Sequence, residues 1–188
     1  MGQQFMEEMY RAVGSSMLYE FKYFVLVERV ERCVDSKAKF NVKWIQSAGK
    51  DLLFNVDGSS RGSPSDAGIG GVLRDSNGKV LCLFSLFVGV EDSNSAEVMV
   101  IHKACFFIAY DQRLSGGKIS TISDSKTAIS WINGKDFGNI KQVNLILDIR
   151  NILQSLIGLS ICFMPWGMNS FTDSLAKGGS GRCGYKVV

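Results

Sequence analysis

The feature that most constrains the fold is a change in the spacing of apolar residues at Leu52. From there Leu52, Phe54 and Val56 recur at every second position, which is the period of a strand with a buried face. The pair Asn77-Gly78 is typical of a tight β-hairpin and separates two further predicted strands. The sequence therefore predicts three antiparallel strands in succession.

Helical and extended segments alternate after this meander. Asn94 and Glu97 have the spacing of a capping box that would begin the first helix, and Gly178-Gly179 would end the last one. Helical crossovers join parallel strands, so we predict an α/β fold with a five-stranded mixed sheet flanked by helices. The predicted strands span residues 52–58, 67–74, 79–88, 118–123 and 159–164, and the predicted helices span 94–110, 125–132, 143–156 and 169–177.

Residues 1–50 differ in pattern from the rest of the chain. Apolar residues recur at intervals of three and four up to about Val34, which predicts one or two amphipathic helices followed by a polar connector. We therefore divide the chain into a helical extension (1–50), a main domain (51–179) and a tail (180–188). We expect a monomer whose N-terminal helices present an apolar face to the main domain or to another chain.

Composition excludes several classes of protein. The 188 residues suffice for one sizeable core, and 21 Lys+Arg against 18 Asp+Glu give a net charge of +3, which permits contact with a polyanion without demanding it. Five scattered cysteines without a Cys-x-x-Cys pair, and a single histidine, argue against a zinc site or a disulfide framework. We found no signal peptide and no apolar run long enough for a membrane span. We expect a soluble protein of a reducing compartment, the nucleus or the cytoplasm.

Four acidic residues come from four separate predicted elements: Asp57, Glu97, Asp124 and Asp173. Asp57 and Asp124 each end a strand, and they become neighbours if those two strands are adjacent in the sheet. Four carboxylates in one place repel one another and raise one another's pKa. Oxygen ligands suit Mg²⁺ or Mn²⁺, and two such ions about 4 Å apart can hold the attacking water and the leaving oxygen of a phosphodiester.

Each of these acids also has an ordinary structural interpretation. Asp57 could simply lead a strand into a turn, and Glu97 could be the carboxylate half of the capping box. Asp124 could cap the following helix, while Asp173 could be an exposed acid in a first helical turn, where the helix dipole favours negative charge.

Several stretches together resemble the type-I ribonuclease H domain, and more narrowly the plant reverse-transcriptase-like domains derived from non-LTR retrotransposons. The resemblance covers about residues 51–179, and its specificity comes from the order of the motifs. The stretches are NVDGSSRG at 55–62, AGIGGVLRD at 67–75, AE at 96–97, SDS at 123–125 and NSFTDSLAK at 169–177.

The resemblance implies a sheet of order 3-2-1-4-5 and metal-dependent endonucleolytic cleavage of the RNA strand of RNA–DNA hybrids, with two Mg²⁺ or Mn²⁺ ions. The four acids Asp57, Glu97, Asp124 and Asp173 would be the catalytic metal ligands. The residues expected to contact the nucleic acid are Gly58, Ser59, Ser60, Arg61, Asn94, Ser125 and Asn169.

The sequence also departs from this family. Residues 163–168 contain neither the His nor the Arg common in plant members, and Thr172 replaces an Ala. The segment 133–141 is too short for the basic protrusion of some bacterial relatives. His102 is expected to be a surface or packing residue. The alternatives are a catalytically inactive ribonuclease H-like module that binds nucleic acid or protein, and a truncated retrotransposon product without a function of its own.

Overall fold

The computed structural model describes residues 51–62, 64–111, 114, 116–134, 140–165 and 170–181, together with the strand Val25–Leu26. None of the described helices is long and apolar enough to cross a membrane. The strands are β1 (Leu52–Ser60), β2 (Ser65–Arg74), β3 (Val80–Glu91), β4 (Ile119–Ser123) and β5 (Leu159–Phe163). The helices are α1 (Ser93–Tyr110), α2 (Lys126–Ile132), α3 (Val143–Ser155) and α4 (Ser170–Ser180), with a 3-10 turn at Ile140–Gln142 before α3.

The five strands form one mixed sheet in the order β3-β2-β1-β4-β5, which confirms the predicted fold. β1 pairs with β2 and β2 with β3 in antiparallel orientation, whereas β1 with β4 and β4 with β5 are parallel. The central strand β1 therefore has a parallel neighbour on one side and an antiparallel one on the other. Its carboxyl end and that of β4 lie at the same edge of the sheet.

A sixth, two-residue strand lies at the edge of the sheet. Val25 pairs with Leu83 and Leu26 with Cys82, so Val25–Leu26 runs antiparallel to β3. The prediction of a helix is wrong at these two residues. Val25 is β-branched and favours strands, and an unpaired sheet edge offers N–H and C=O groups that a helical segment could not use. The rest of the predicted extension lies outside the described residues.

The predicted hairpin connects β2 to β3. Gly78 has a φ of 82°, a left-handed conformation that favours glycine. The Asp75 carboxylate accepts hydrogen bonds from the N–H groups of Asn77 and Lys79, both at 2.9 Å. The turn thus depends on the left-handed conformation that Gly78 can adopt, and the Asp75 carboxylate stabilises it.

Helices cover both faces of the central strands. On one face α1 packs against β1, and the side chains of Phe54 and Val56 are fully buried there. On the other face α4 lies against β2 so closely that a Cβ on Gly68 would come within 2.3 Å of the Ala176 carbonyl oxygen, and one on Gly70 within 2.6 Å of the Ala176 nitrogen. Gly68 and Gly70 therefore allow the backbone of α4 to pack directly on β2.

Two predicted helix ends are wrong. The N-cap of α1 is Asp92 rather than Asn94, because the Asp92 carboxylate accepts hydrogen bonds from the N–H and the hydroxyl of Ser95, at 2.9 and 2.6 Å. At the other end of the domain, α4 continues through Gly178-Gly179 to Ser180. A Cβ on Gly179 would lie 2.4 Å from the carbonyl oxygen of Leu86, so this glycine permits close packing on β3 and does not end the helix.

Candidate metal and nucleic-acid site

The parallel pairing of β1 with β4 brings Asp57 and Asp124 together. In this ladder Leu52 is opposite Ile119 and Asn55 is opposite Ile122, and two more steps in the same register lead to Asp57 and Asp124. Asp124 directly follows the last residue of β4. Both carboxylates therefore lie at the carboxyl edge of the sheet, where ligands of mixed α/β sheets bind.

Glu97 reaches this edge from α1. Gly58 allows the close approach, since a Cβ at this position would be 2.5 Å from the backbone of Ala96. The N–H of Gly58 donates to Oε1 of Glu97 at 3.1 Å, and the hydroxyl of Ser123 donates to Oε2, also at 3.1 Å. Glu97 is thus bonded to β1 and β4 and does not act as the capping-box carboxylate that the sequence also allowed.

Three of the four predicted acids form a tight group. Asp57, Glu97 and Asp124 each offer one carboxylate oxygen, and these oxygens lie within 4.8 Å of one another. Asp57 is only 5% exposed and Glu97 only 6%, while Asp124 is partly exposed. We call these three residues the carboxylate group.

Asp173 lies beside the carboxylate group, in the first turn of α4. It is close enough to raise the pKa of both Asp57 and Asp124. Its Oδ2 accepts a hydrogen bond from Nζ of Lys177, one helical turn later, at 2.7 Å. The fourth acid, Asp173, is therefore paired with a positively charged side chain of its own helix.

The electrostatics of the site disfavour ionised carboxylates. Burial, reinforced by the nearby Glu97, Asp124 and Asp173, raises the pKa of Asp57 from 3.8 to about 8. Burial also raises the pKa of Glu97 from 4.5 to about 7, although the hydrogen bonds from Gly58 and Ser123 oppose this shift. The pKa of Asp124 is raised as well, mainly by burial. Without a bound metal ion, the carboxyl groups of Asp57 and Glu97 therefore retain their protons at pH values at which ordinary carboxyl groups are ionised.

This donor set fits hard divalent cations. All the side chains that converge offer carboxylate oxygens, the ligands preferred by Mg²⁺ and Mn²⁺. A bound cation would replace the protons that burial and mutual repulsion retain on these groups. Asp57, Glu97 and Asp124 are the residues that could hold it, with Asp173 adjacent.

Comparison with known proteins agrees with this geometry. A family model described as reverse transcriptase-like matches residues 55–179. The chain belongs to the reverse transcriptase-like family. A protein of Arabidopsis thaliana with a predicted ribonuclease H assignment is 28% identical over 125 residues, which are 66% of this chain but only 18% of that protein. The chain thus spans less than a fifth of the length of this relative.

Solved structures share the fold of this reverse transcriptase-like domain. LC11-RNase H1, isolated from compost by a metagenomic approach, superposes with a TM-score of 0.65 at 22% identity, over 71% of this chain and 97% of that one. Its complex with an RNA/DNA hybrid gives 0.63 at 22% identity, over 69% and 96%. The N-terminal RNase H domain of a Mycobacterium tuberculosis protein gives 0.62 at 20% identity, over 71% and 95%. The fold is ribonuclease H-like.

The loop after Asp57 in this reverse transcriptase-like domain is bonded internally. The hydroxyl of Ser60 lies 2.8 Å from the carbonyl oxygens of Gly62 and Glu91 and 3.1 Å from the hydroxyl of Ser65. Ser59 is partly buried and Arg61 is exposed. Of these predicted nucleic-acid contacts, Arg61 therefore has the most accessible side chain, whereas Ser60 shapes the loop.

Asn94 lines a cleft at the N-terminal end of α1. Its side chain is exposed, and it shares a cleft of about 710 Å³ with Trp131 of α2 and Lys141. Ser125 caps α2, because its hydroxyl accepts a hydrogen bond from the N–H of Ala128 at 3.1 Å. Asn169 lies outside the described residues. The assignment of all these residues to nucleic-acid binding stays a prediction.

Two residues of the site were missed by the sequence analysis. Ser123 donates to Glu97, and its only signal in the sequence was its place directly before Asp124. Lys177 pairs with Asp173, and its signal was the i, i+4 spacing on a predicted helix. Each of these two residues contacts one of the predicted acids and is not acidic itself.

Proposed function

We propose that this domain is a metal-dependent endoribonuclease that hydrolyses the RNA strand of RNA–DNA hybrids by a two-metal-ion mechanism. The observation that carries the proposal is the convergence of oxygens from Asp57, Glu97 and Asp124 within 4.8 Å at the carboxyl edge of the sheet. Membership of the reverse transcriptase-like family and the ribonuclease H assignment of the Arabidopsis relative support it.

The carboxylates have distinct roles in this proposal. Asp57, Glu97 and Asp124 would hold one cation, and Asp57 and Asp173 would hold the second. Bound cations of this kind supply an activated water and stabilise the leaving 3′-oxygen of a phosphodiester. The products would carry 5′-phosphate and 3′-hydroxyl ends.

The chain itself contributes orientation. Gly58 and Ser123 fix both oxygens of Glu97, so that this carboxylate is already positioned before substrate arrives. Asp57 lies on β1 and Asp124 directly follows β4, and a sheet offers a more rigid support than loops do. Such preorganisation avoids the cost of ordering the ligands at the moment of reaction.

The cleft lined by Asn94, Trp131 and Lys141 is our candidate for the path of the hybrid. Asn94 offers an amide for hydrogen bonds, Trp131 an aromatic ring for stacking, and Lys141 a charge for a phosphate. The likeness of fold to LC11-RNase H1, a protein solved in complex with an RNA/DNA hybrid, supports this choice.

The test is cleavage of an end-labelled RNA–DNA hybrid by the purified full chain with Mg²⁺ or Mn²⁺. We expect cuts in the RNA strand alone, and a loss of about a thousandfold or more in Asp57→Asn and Asp124→Asn, because removal of a metal ligand costs several kcal/mol of transition-state stabilisation. Asp148→Asn is the matched control, since Asp148 pairs with His102 outside the carboxylate group. It should cleave at nearly the rate of the unchanged protein.

One observation favours the second candidate, a non-catalytic module that binds nucleic acid or protein. The sequence from 163 to 168 holds no His or Arg before the last motif. A folded protein that binds the hybrid but leaves both strands intact with either metal would refute the nuclease and establish this module. A folded protein that neither cuts nor binds the hybrid would point to a protein-interaction role or to a fragment.

A further inference from the structure

Ser123 occupies a buried position between the carboxylate group and the helix that follows it. It is the last residue of β4, directly before Asp124, and its exposed fraction is 0%. Its carbonyl oxygen accepts a hydrogen bond from the N–H of Met164 at 3.0 Å, which attaches it to the residue after β5. The backbone at this point is therefore fixed by its neighbours in the sheet.

The hydroxyl of Ser123 has a defined direction. It accepts a hydrogen bond from the N–H of Ser125 at 3.0 Å, and it lies 3.1 Å from Oε2 of Glu97. A serine hydroxyl carries a single hydrogen, and a backbone N–H can only donate. The hydrogen of Ser123 is therefore available to Glu97, which accepts it.

Glu97 is consequently held at both oxygens by two different strands. Oε1 receives the N–H of Gly58 from β1, and Oε2 receives the hydroxyl at the end of β4. The Ser125 hydroxyl in turn caps α2. Through Ser123 the carboxylate of Glu97 is connected to the backbone on either side of Asp124, its partner in the carboxylate group.

We propose that Ser123 is a positioning residue for cation binding, whose hydroxyl keeps the Glu97 carboxylate in the orientation that converges with Asp57 and Asp124. The inference rests on the proposed metal-dependent function and deepens it, since Ser123 contributes to the affinity for the cation without being a ligand. Hydrogen-bond partners of metal ligands commonly change metal affinity by about 10- to 100-fold when they are removed.

The test is a Mn²⁺ titration of the purified full chain without nucleic acid, with free Mn²⁺ measured by electron paramagnetic resonance. Ser123→Ala should raise the Kd for Mn²⁺ about tenfold or more. Ser123→Thr retains the hydroxyl and should restore the affinity to within about threefold of the unchanged protein. Ser120→Ala is the matched control, because Ser120 lies on the same strand and its hydroxyl faces that of Ser160 in an exposed position.

Equal Mn²⁺ affinity in Ser123→Ala, Ser120→Ala and the unchanged protein would overturn the inference. Circular dichroism checks that Ser123→Ala is folded. If it is not, Ser123→Cys replaces it, since a thiol of similar shape is a much weaker donor. A folded Ser123→Cys protein with reduced Mn²⁺ affinity supports the inference, and one with unchanged affinity contradicts it.

Cleavage measured over a range of Mn²⁺ concentrations separates this inference from the proposed nuclease function. A positioning role predicts that excess Mn²⁺ restores much of the lost rate in Ser123→Ala, whereas a general structural defect would lower the rate at every concentration. If the unchanged protein binds Mn²⁺ but does not cut, the nuclease is refuted and the affinity comparison still decides the role of Ser123. If it cuts and Ser123→Ala has the same Mn²⁺ dependence, only the Ser123 inference fails.

Discussion

The N–H of Gly58 donates a hydrogen bond to Oε1 of Glu97 at 3.1 Å, so the strand that carries Asp57 also orients the neighbouring carboxylate. This bond requires α1 and β1 to pack so closely that there is no room for a Cβ at residue 58. The close contact and the orientation of Glu97 therefore depend on the same residue.

Gly58→Ala should separate β1 from α1. Its Cβ would lie 2.5 Å from the carbonyl carbon of Ala96 and 2.6 Å from the nitrogen of Glu97, and backbone atoms cannot yield as a side chain can. We expect a loss of about 1–3 kcal/mol in the free energy of unfolding, measured by urea titration, together with weaker Mn²⁺ binding. At Gly117 a Cβ meets nothing closer than 3.7 Å, so Gly117→Ala is the control. Equal stability of the two variants would contradict the close packing.

The stability of the metal-free protein should fall as the pH rises from about 4 to about 8. The pKa of Asp57 rises from 3.8 to about 8 on folding and that of Glu97 from 4.5 to about 7, so over this range the folded protein binds more protons than the unfolded chain. Raising the pH then favours unfolding. Urea titrations in EDTA at several pH values measure this slope, which Asp57→Asn should reduce. Added Mg²⁺ should stabilise most at the high end, where protons no longer compete. A slope of the opposite sign would contradict the buried carboxylate group.

Lys177→Met should weaken hybrid binding and its dependence on salt. The ammonium pairs with Asp173 but is 57% exposed, so it can approach a phosphate of a bound strand. Loss of one phosphate contact should reduce the slope of log affinity against log salt by about 1. Fluorescence anisotropy in an Asp124→Asn background measures binding without cleavage. Lys79→Met, in the β2–β3 turn at the other end of the sheet, is the control and should leave the slope unchanged. If both variants had the same salt dependence, Lys177 would not contact a phosphate of the bound hybrid.

His102→Gln should leave cleavage within about twofold of the unchanged rate. His102 lies five residues after Glu97 on α1, about 140° around the helix from it. Its imidazole pairs with Asp148 of α3 at 2.5 Å, so it joins two helices. We expect a loss of no more than about 1 kcal/mol in stability, as for other partly exposed pairs. Steady-state kinetics on the labelled hybrid check the rate, and a tenfold fall in kcat would make this histidine part of the reaction after all.

The sheet could be predicted from the sequence because its signals are local. Alternation of apolar residues marked β1, an Asn-Gly pair marked the turn between β2 and β3, and helical crossovers restrict how the later strands can be placed. The order of the strands was implied by the family resemblance, and with β1 next to β4 the meeting of Asp57 and Asp124 follows. The convergence of these two acids was predictable for this reason, whereas the approach of Glu97 depends on the packing of α1 at Gly58.

Two of the three errors arose where the decisive contact is distant in sequence. The exception is the N-cap of α1, since Asp92 and Asn94 are both good N-caps and the Asp92 carboxylate is the one that accepts from Ser95. Gly179 resembles a helix terminator, but its partner is Leu86 on β3. Val25–Leu26 has a helical pattern around it, and its strand conformation depends on pairing with the edge of β3. Local preference was overruled by tertiary contact at Gly179 and at Val25–Leu26.

The acids of the site could be identified from the sequence, but their partners could not. Carboxylates at strand ends are distinctive because burying charge is costly. A hydroxyl such as that of Ser123 is common, and only the structure shows that it faces Glu97. Lys177 similarly resembled an ordinary surface lysine until its pairing with Asp173 placed it at the site.

The seating of α4 on the glycines of β2 also bears on when the site can form during synthesis. Asp57 and Gly70 are paired in the sheet, whereas Asp173 comes from a helix made more than a hundred residues later. A nascent chain can therefore complete all five strands while it still lacks the fourth acid and the lysine that holds it. The sheet that supports the site is thus synthesised first, and Asp173 is added only near the end of the domain.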